Sequence, residues 1–164
     1  MAAHHYKAKA AHLSVMAGLA WRGYNVAMPE IDIGDDIFAV KDHSGNMWRI
    51  QVKYSQAKAQ KNGISATFGC RKDQLEKATS PELYYVFVFR KGEGWQYAIF
   101  SRASLQTHFQ HNGFGAVFHN KAAHQDFVNF RVALANDGKL TFGSGKDKKD
   151  ITLNLNKWNE IPST

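Results

Sequence analysis

The chain has one cysteine, Cys70, so no disulfide can close within it, and no CxxC pair is present to hold zinc. No apolar run approaches the roughly 20 residues that a membrane-crossing helix needs. The first ten residues are basic but lead into no apolar stretch of the signal-peptide kind. Together these absences set the expectation of a cytoplasmic protein with no membrane partner. Internal repeats, low-complexity tracts and linker-like segments are also missing. The 164 residues are therefore expected to form a single domain around one sizeable core. Gly143-Ser144-Gly145-Lys146 does not satisfy the G-x4-G-K-[ST] phosphate loop and reads as a turn.

The most informative scarcity is of acid. Lys and Arg number 21 against 14 Asp and Glu, a formal net charge of +7 that favours a polyanionic partner. Between His43 and Lys72 no acidic residue occurs, while Arg49, Lys53, Lys58, Lys61, Arg71 and Lys72 all fall there. Positive charge is thus concentrated in one segment.

What is present has the periodicity of a mixed α/β protein. Ala11, Val15, Leu19 and Arg22 recur at helical spacing over residues 8–22, and Gly23 is a natural stop. A short strand is expected at 24–28, ended by Pro29. Residues 36–41 and 47–54 read as a hairpin joined by the turn-forming run Asp42-His43-Ser44-Gly45-Asn46. In its second strand Trp48, Ile50, Val52 and Tyr54 share a face expected to pack on the first helix, leaving Arg49, Gln51 and Lys53 on the other. Residues 57–69 read as an irregular excursion and 72–79 as a second helix. Residues 83–90 are apolar enough for a buried central strand. A return strand at 95–100 leads into a helix capped by Ser101 and running to about Gln110. Further on, 114–118 and 127–134 are candidate strands, the second with a helical alternative. Residues 143–150 read as a polar loop, 151–155 as a short strand and 156–160 as a last helical turn. Trp21, Trp48, Trp95 and Trp158 fit core or edge positions better than base-stacking platforms.

One constellation carries chemistry. In a hairpin turning near Ser44, Asp36 falls opposite Gln51 or Val52, and Gln51 and Lys53 share a face. A carboxylate, an amide oxygen and an ammonium would then meet at one end of a sheet. Such a group suits phosphodiester hydrolysis, because a divalent ion needs hard oxygen ligands and a neighbouring cation can stabilise the transition state. His108 and His111, spaced i and i+3, are weaker metal candidates with no third ligand, and His119 and His124 add nothing to them.

The stretches Gly34-Asp35-Asp36-Ile37-Phe38-Ala39-Val40 and Arg49-Ile50-Gln51-Val52-Lys53 resemble the Asp…(Asp/Glu/Gln)-x-Lys signature of the PD-(D/E)XK nuclease superfamily. Within it the pattern is most similar to small Holliday junction resolvase-like endonucleases, which also open with a helix ending in Gly-Tyr, here Gly23-Tyr24. The likeness runs over about residues 8–100. It implies a mixed central β-sheet flanked by helices, with a restriction-endonuclease-like αβββαβ core over about 8–110 and a C-terminal extension over about 111–164. It further implies Mg²⁺ or Mn²⁺ as cofactor, DNA as substrate, branched or foreign DNA among the candidates, and a homodimer. Asp36, Gln51 and Lys53 are the implied catalytic residues. Asp36, Gln51 and Asp35 are the candidate metal ligands, with Asp32 an alternative to Asp35. Lys58, Lys61, Arg71 and Lys72 are the expected DNA-backbone contacts, and Lys146, Lys148 and Lys149 a second place for them. The chain departs from the family pattern twice. Gln51 stands where an acid is usual, and the first helix, which in relatives often supplies a glutamate, has none, with His12 and Ser14 near the expected place. These departures open the alternative of a nuclease-fold protein that binds DNA without cutting it.

Overall fold

A computed structural model describes residues 2–30, 34–144 and 147–162. The first helix, α1, covers Ala2–Ala20, and three strands follow: β1 Asn25–Ala27, β2 Ile37–Val40 and β3 Met47–Tyr54. Helix α1 starts six residues earlier than its apolar repeat suggests. Next come β4 Lys58–Gln60, β5 Gly63–Arg71, the short helix α2 Lys72–Glu76, β6 Leu83–Lys91, β7 Gly94–Ser101 and α3 Arg102–Gln110. The last third of the chain supplies β8 Ala116–Asn120, β9 Gln125–Ala135, β10 Leu140–Ser144 and β11 Asp147–Asp150, then two 3₁₀ turns.

The strands form two sheets. In the first, of order β1-β2-β3-β6-β7, all neighbours are antiparallel except β3 and β6, which run parallel. Strand β6 is buried from Leu83 to Phe89, as its continuous apolar sequence requires of a strand covered on both faces. On one face, α1 lays Ala11, Val15 and Leu19 against Trp48, Ile50, Val52, Val86 and Val88. The end of the chain closes the same cluster. Trp158 lies so near Gly18 that a Cβ there would sit 2.9 Å from its ring, and the Tyr24 hydroxyl donates to the carbonyls of Ile161 and Pro162. Tyr6 and Leu13 of α1, and Trp21 just after it, are exposed.

The other face of the first sheet is covered by the second sheet, of order β11-β10-β9-β5-β4, with β8 beside β9. A layer of aromatic rings joins the two. Phe68 of β5 stacks on Phe87 of β6 with centroids 4.5 Å apart. Phe87 also meets Phe100 at 5.5 Å and Phe130 at 6.0 Å. Phe142 stacks on Phe100 at 5.2 Å.

The mixed α/β character and the mixed sheet agree with the sequence reading, as do the hairpin, the helix-packed face of β3, the central strand β6 and the Ser101 cap, whose hydroxyl accepts from the Ser104 amide. A single strand, β9, rather than a helix occupies 127–134. The departures concern the second face. Instead of the expected loop, residues 57–69 give β4 and most of β5, whose inward residues Ala66, Phe68 and Cys70 are buried. The expected helix at 72–79 stops at Glu76, so sheet rather than helix flanks this side. The expected loop at 143–150 is largely the β10–β11 hairpin, and 151–155 forms a 3₁₀ turn tied to the first sheet by one bridge, Leu155 to Ala98. Strands β8 to β11 are therefore built into the sheet that contains β5, while the last turns pack on the first sheet and α1.

Because Phe87 contacts rings from both sheets, Phe87→Ala should destabilise the protein by about 3–5 kcal/mol. Urea unfolding is the check, and a loss under about 1 kcal/mol would mean that the two sheets do not depend on this ring layer.

Candidate active site

The β2–β3 register pairs Ile37 with Ile50 and Val40 with Met47. Continued by one step past the end of β2, it sets Asp36 opposite Gln51. The Asp36 amide donates to the Ile50 carbonyl at 2.9 Å. Its carboxylate then takes the place of the next β2 carbonyl: Oδ2 accepts from the Val52 amide at 2.7 Å and from Gln51 Nε2. Asp36 thus caps the edge of β3 just where β2 runs out. Its side chain is 13% exposed. From the helix layer, His12 Nε2 approaches the same oxygen at 4.0 Å, while the Ser14 hydroxyl turns back to the Ala11 carbonyl.

Lys53 follows Gln51 by two residues, on the same face and about 7 Å along the strand. It is half-buried, and among the described residues its ammonium makes no ion pair or hydrogen bond. Its charge is felt by Cys70 on β5. Burial pushes that thiol up to about 12 despite the nearby ammonium, which leaves the cysteine without nucleophilic character at neutral pH.

Asp35 is drawn into a different contact. It is buried, and both of its oxygens accept from the Arg49 guanidinium, at 2.8 and 3.0 Å. This two-point pair neutralises the one acid next to Asp36. Asp32, the alternative second carboxylate, lies outside the described residues. Above the site, Gln74 of α2 clamps the approach to β2. Its Nε2 donates to the Gly34 carbonyl at 2.6 Å, and its Oε1 accepts from the Tyr85 hydroxyl at 3.4 Å. Tyr85 is the parallel-register partner of Gln51, and burial raises its phenol pKa so that it stays protonated as a donor. At Gly34, with φ +99°, any Cβ would fall 2.6 Å from Gln74 Nε2. Helix α2 is held in turn by the buried Arg102, which donates to the Leu75 carbonyl and pairs with Glu82.

Among the described residues no three His, Cys, Asp or Glu side chains cluster closely enough to hold a metal. The donors that do converge are the Asp36 carboxylate, the Gln51 amide and the His12 imidazole. Gln51 turns Nε2 to Asp36, and a half-turn of the amide exchanges it for Oε1. The set then offers two oxygens and one nitrogen with a single negative charge. That fits a Mg²⁺ or Mn²⁺ ion that keeps most of its shell as water and substrate oxygen.

The four expected backbone contacts do not lie together. Lys58 is on the exposed strand β4, and Lys61 is in the turn to β5. Arg71 and Lys72 lie at the far end of β5, eight residues from Gly63 and therefore about 26 Å away. Arg71 pairs with Asp73 at 2.6 Å and Lys72 with Glu76 at 3.9 Å. Helix α2 has only five residues and no side-chain cap, too short for its free amides to define an anion site. His108 packs against Phe100 and Phe142, and burial lowers its pKa, which marks it as a packing residue. His119 pairs with Asp126 across β8 and β9 at 2.8 Å.

Comparison of the chain with protein-family models, with curated proteins and with solved structures finds no match.

The capping role of Asp36 has a consequence that needs no catalysis. Asp36→Ala strips the acceptor from the buried Val52 amide, which should cost about 1–3 kcal/mol. Lys53→Met, which breaks no bond, should stay within about 0.5 kcal/mol of wild type. Parallel denaturant melts compare the two, and equal stability would deny Asp36 its place at the β3 edge.

Proposed function

We propose that the chain is a divalent-metal-dependent endodeoxyribonuclease of the PD-(D/E)XK kind, with Asp36, Gln51 and Lys53 as its reaction centre. The observation that carries this reading is the direct contact of the Asp36 carboxylate with the Gln51 amide across β2 and β3, with Lys53 on the Gln51 face and free of partners among the described residues. The element order adds support: α1, β1, β2 and β3, then α2 and β6, follow the αβββαβ sequence that the motif resemblance implies, with β4 and β5 inserted before α2.

In this reading a bound Mg²⁺ or Mn²⁺ supplies Lewis acidity to the phosphate and lowers the pKa of its bound water. The chain's own part is to fix geometry and charge. Asp36, held by the Val52 amide, gives the one anionic ligand. Gln51 gives a neutral oxygen after its half-turn, and His12 approaches from α1 in place of an acid. Lys53, with no other partner among the described residues, is disposed to hold the attacking water and to offset charge growing on the phosphate oxygens. The Arg49–Asp35 pair and the Gln74–Gly34–Tyr85 clamp hold the segment that leads into Asp36. Such support is what a site needs to keep its first contacts in position.

A second reading, a DNA-binding protein of this fold that does not cut, has one specific observation in its favour. Asp36 Oδ2 is already committed to two donors of the fold, so a metal must displace one of them. Gln51→Glu separates the two readings. It sets two carboxylates in contact, so without metal it should melt below wild type. Millimolar Mn²⁺ should restore the loss and raise Tm by several degrees. For the enzyme reading, wild type should nick branched or linear DNA with Mg²⁺ or Mn²⁺, and Lys53→Met should lower the rate at least 100-fold with an unchanged melt. No cleavage by wild type together with cleavage by Gln51→Glu would establish the silent binder. No cleavage and no metal-dependent Tm in either protein would remove the metal site altogether.

A further inference from the structure

The second sheet carries a feature that the Asp36 site does not use. On its outer face, away from the aromatic layer, register aligns Ser65 of β5, Ala133 of β9 and Thr141 of β10 in one cross-strand row. Side chains on one face alternate with those on the other, so these small residues stand above the buried row Ala66, Val132 and Phe142. Gly63 and Gly143 continue the low floor. At Gly63, with φ +145°, a Cβ would come within 2.2 Å of the Leu134 carbonyl, and at Gly143, with φ +83°, within 2.3 Å of the Asp147 carbonyl. The result is an open trough of about 570 Å³. Strands spaced at about 4.8 Å make its floor about 10 Å wide from β5 to β10.

Its walls are cationic. Lys61, Arg131, Lys139 and Lys148 line it, with Asp150 as the one acid. Asp150 is already matched: it pairs with Lys139 at 3.3 Å and accepts from the Thr152 amide and hydroxyl, contacts that hold its carboxyl below the ordinary value. Lys61, Arg131 and Lys148 make no ion pair or hydrogen bond among the described residues. Three uncompensated cations over a floor bearing two hydroxyls, and no aromatic ring in the lining, suit an anionic chain held by its backbone. They do not suit a ligand that needs stacking. The residues spanning the trough from Arg131 to Ala135 are four apart on β9, about 13 Å.

We propose that this trough is a nucleic-acid-binding groove that grips one phosphodiester strand through Lys61, Arg131 and Lys148, independent of base sequence. Lys61 stands at the turn shared with the β4 edge, where Lys58 is exposed. A strand leaving the groove past Lys61 therefore meets a further cation at the rim of the second sheet. The proposal does not depend on chemistry at Asp36.

The test is fluorescence anisotropy of labelled 20-mer single-stranded and duplex DNA with the full chain in EDTA, which prevents any cleavage, over a salt series. Arg131→Ala combined with Lys148→Ala should weaken binding of both DNAs at least tenfold. It should flatten the log–log salt slope by about 1.4 on the single strand and about 1.8 on the duplex, as expected for two lost phosphate contacts. Ala133→Glu, which puts a carboxylate on the trough floor without touching the core, should weaken binding at least as much. Unchanged affinity and slope in both variants, with normal melts, overturns the groove while leaving the cleavage assay to judge Asp36 separately. Inorganic phosphate or a mononucleotide displacing the DNA at micromolar concentration also overturns it, by making the trough a small-anion site.

Discussion

Phe87 is the point on which the two halves of the structure meet. Its ring is shared by Phe68, Phe100 and Phe130, and through these contacts the second sheet is seated on the first. Several surroundings of the Asp36 site and the outer face of the second sheet depend on that seating. It places β5 with Cys70 beside Lys53, it carries α2 and Gln74 over the approach to β2, and it turns the small-residue row of β5, β9 and β10 outward. The layer works because β6 is apolar on both faces, with Val86 and Val88 against α1 and Phe87 and Phe89 against the second sheet.

Asp36 serves the fold before it serves any reaction. An antiparallel strand that stops short leaves the next amide of its neighbour without a partner, and an unpaired buried amide is costly. The carboxylate at the first position beyond β2 meets that need at Val52 and brings the Gln51 amide with it. The same geometry sets the Gln51 amide against the Asp36 carboxylate and brings an imidazole from α1 to 4.0 Å from it. Structural and chemical accounts of this residue are therefore not rivals by position. They differ in whether a cation can compete with two hydrogen bonds already made, and the single negative charge of the donor set makes that a close contest.

Much of this was legible in the sequence, for identifiable reasons. The β2–β3 hairpin and the juxtaposition of Asp36 with Gln51 follow from a turn-rich pentapeptide and strict alternation, both of which are local signals. His12 and Ser14 stood near the place where the motif resemblance expects a glutamate, and of the two it is His12 that approaches Asp36. The second sheet was not legible because its signals are not local. Strand β5 presents Ala66, Phe68 and Cys70 inward between serine, threonine and glycine, so its apolar alternation is thin, and its β identity comes from pairing with β9 some sixty residues later. The Arg49–Asp35 pair and the Gln74 clamp likewise join residues 14 and 40 positions apart. The acid-free basic segment does not form one surface: Arg49 and Lys53 lie on β3, Lys58 and Lys61 near one end of β5, and Arg71 and Lys72 at the other, so the denser positive surface needs Arg131 and Lys148 from the last third of the chain.

The central claim is that a divalent cation binds between Asp36 and Gln51. The most direct measurement is paramagnetic broadening in amide spectra of the uniformly ¹⁵N-labelled protein as substoichiometric Mn²⁺ is added. The account predicts that the amides of His12, Asp36, Gln51, Val52 and Lys53 vanish first, and that Asp36→Asn abolishes the effect. Broadening centred instead on His119 and Asp126 or on Asp150, or no selective broadening at millimolar Mn²⁺, would contradict it.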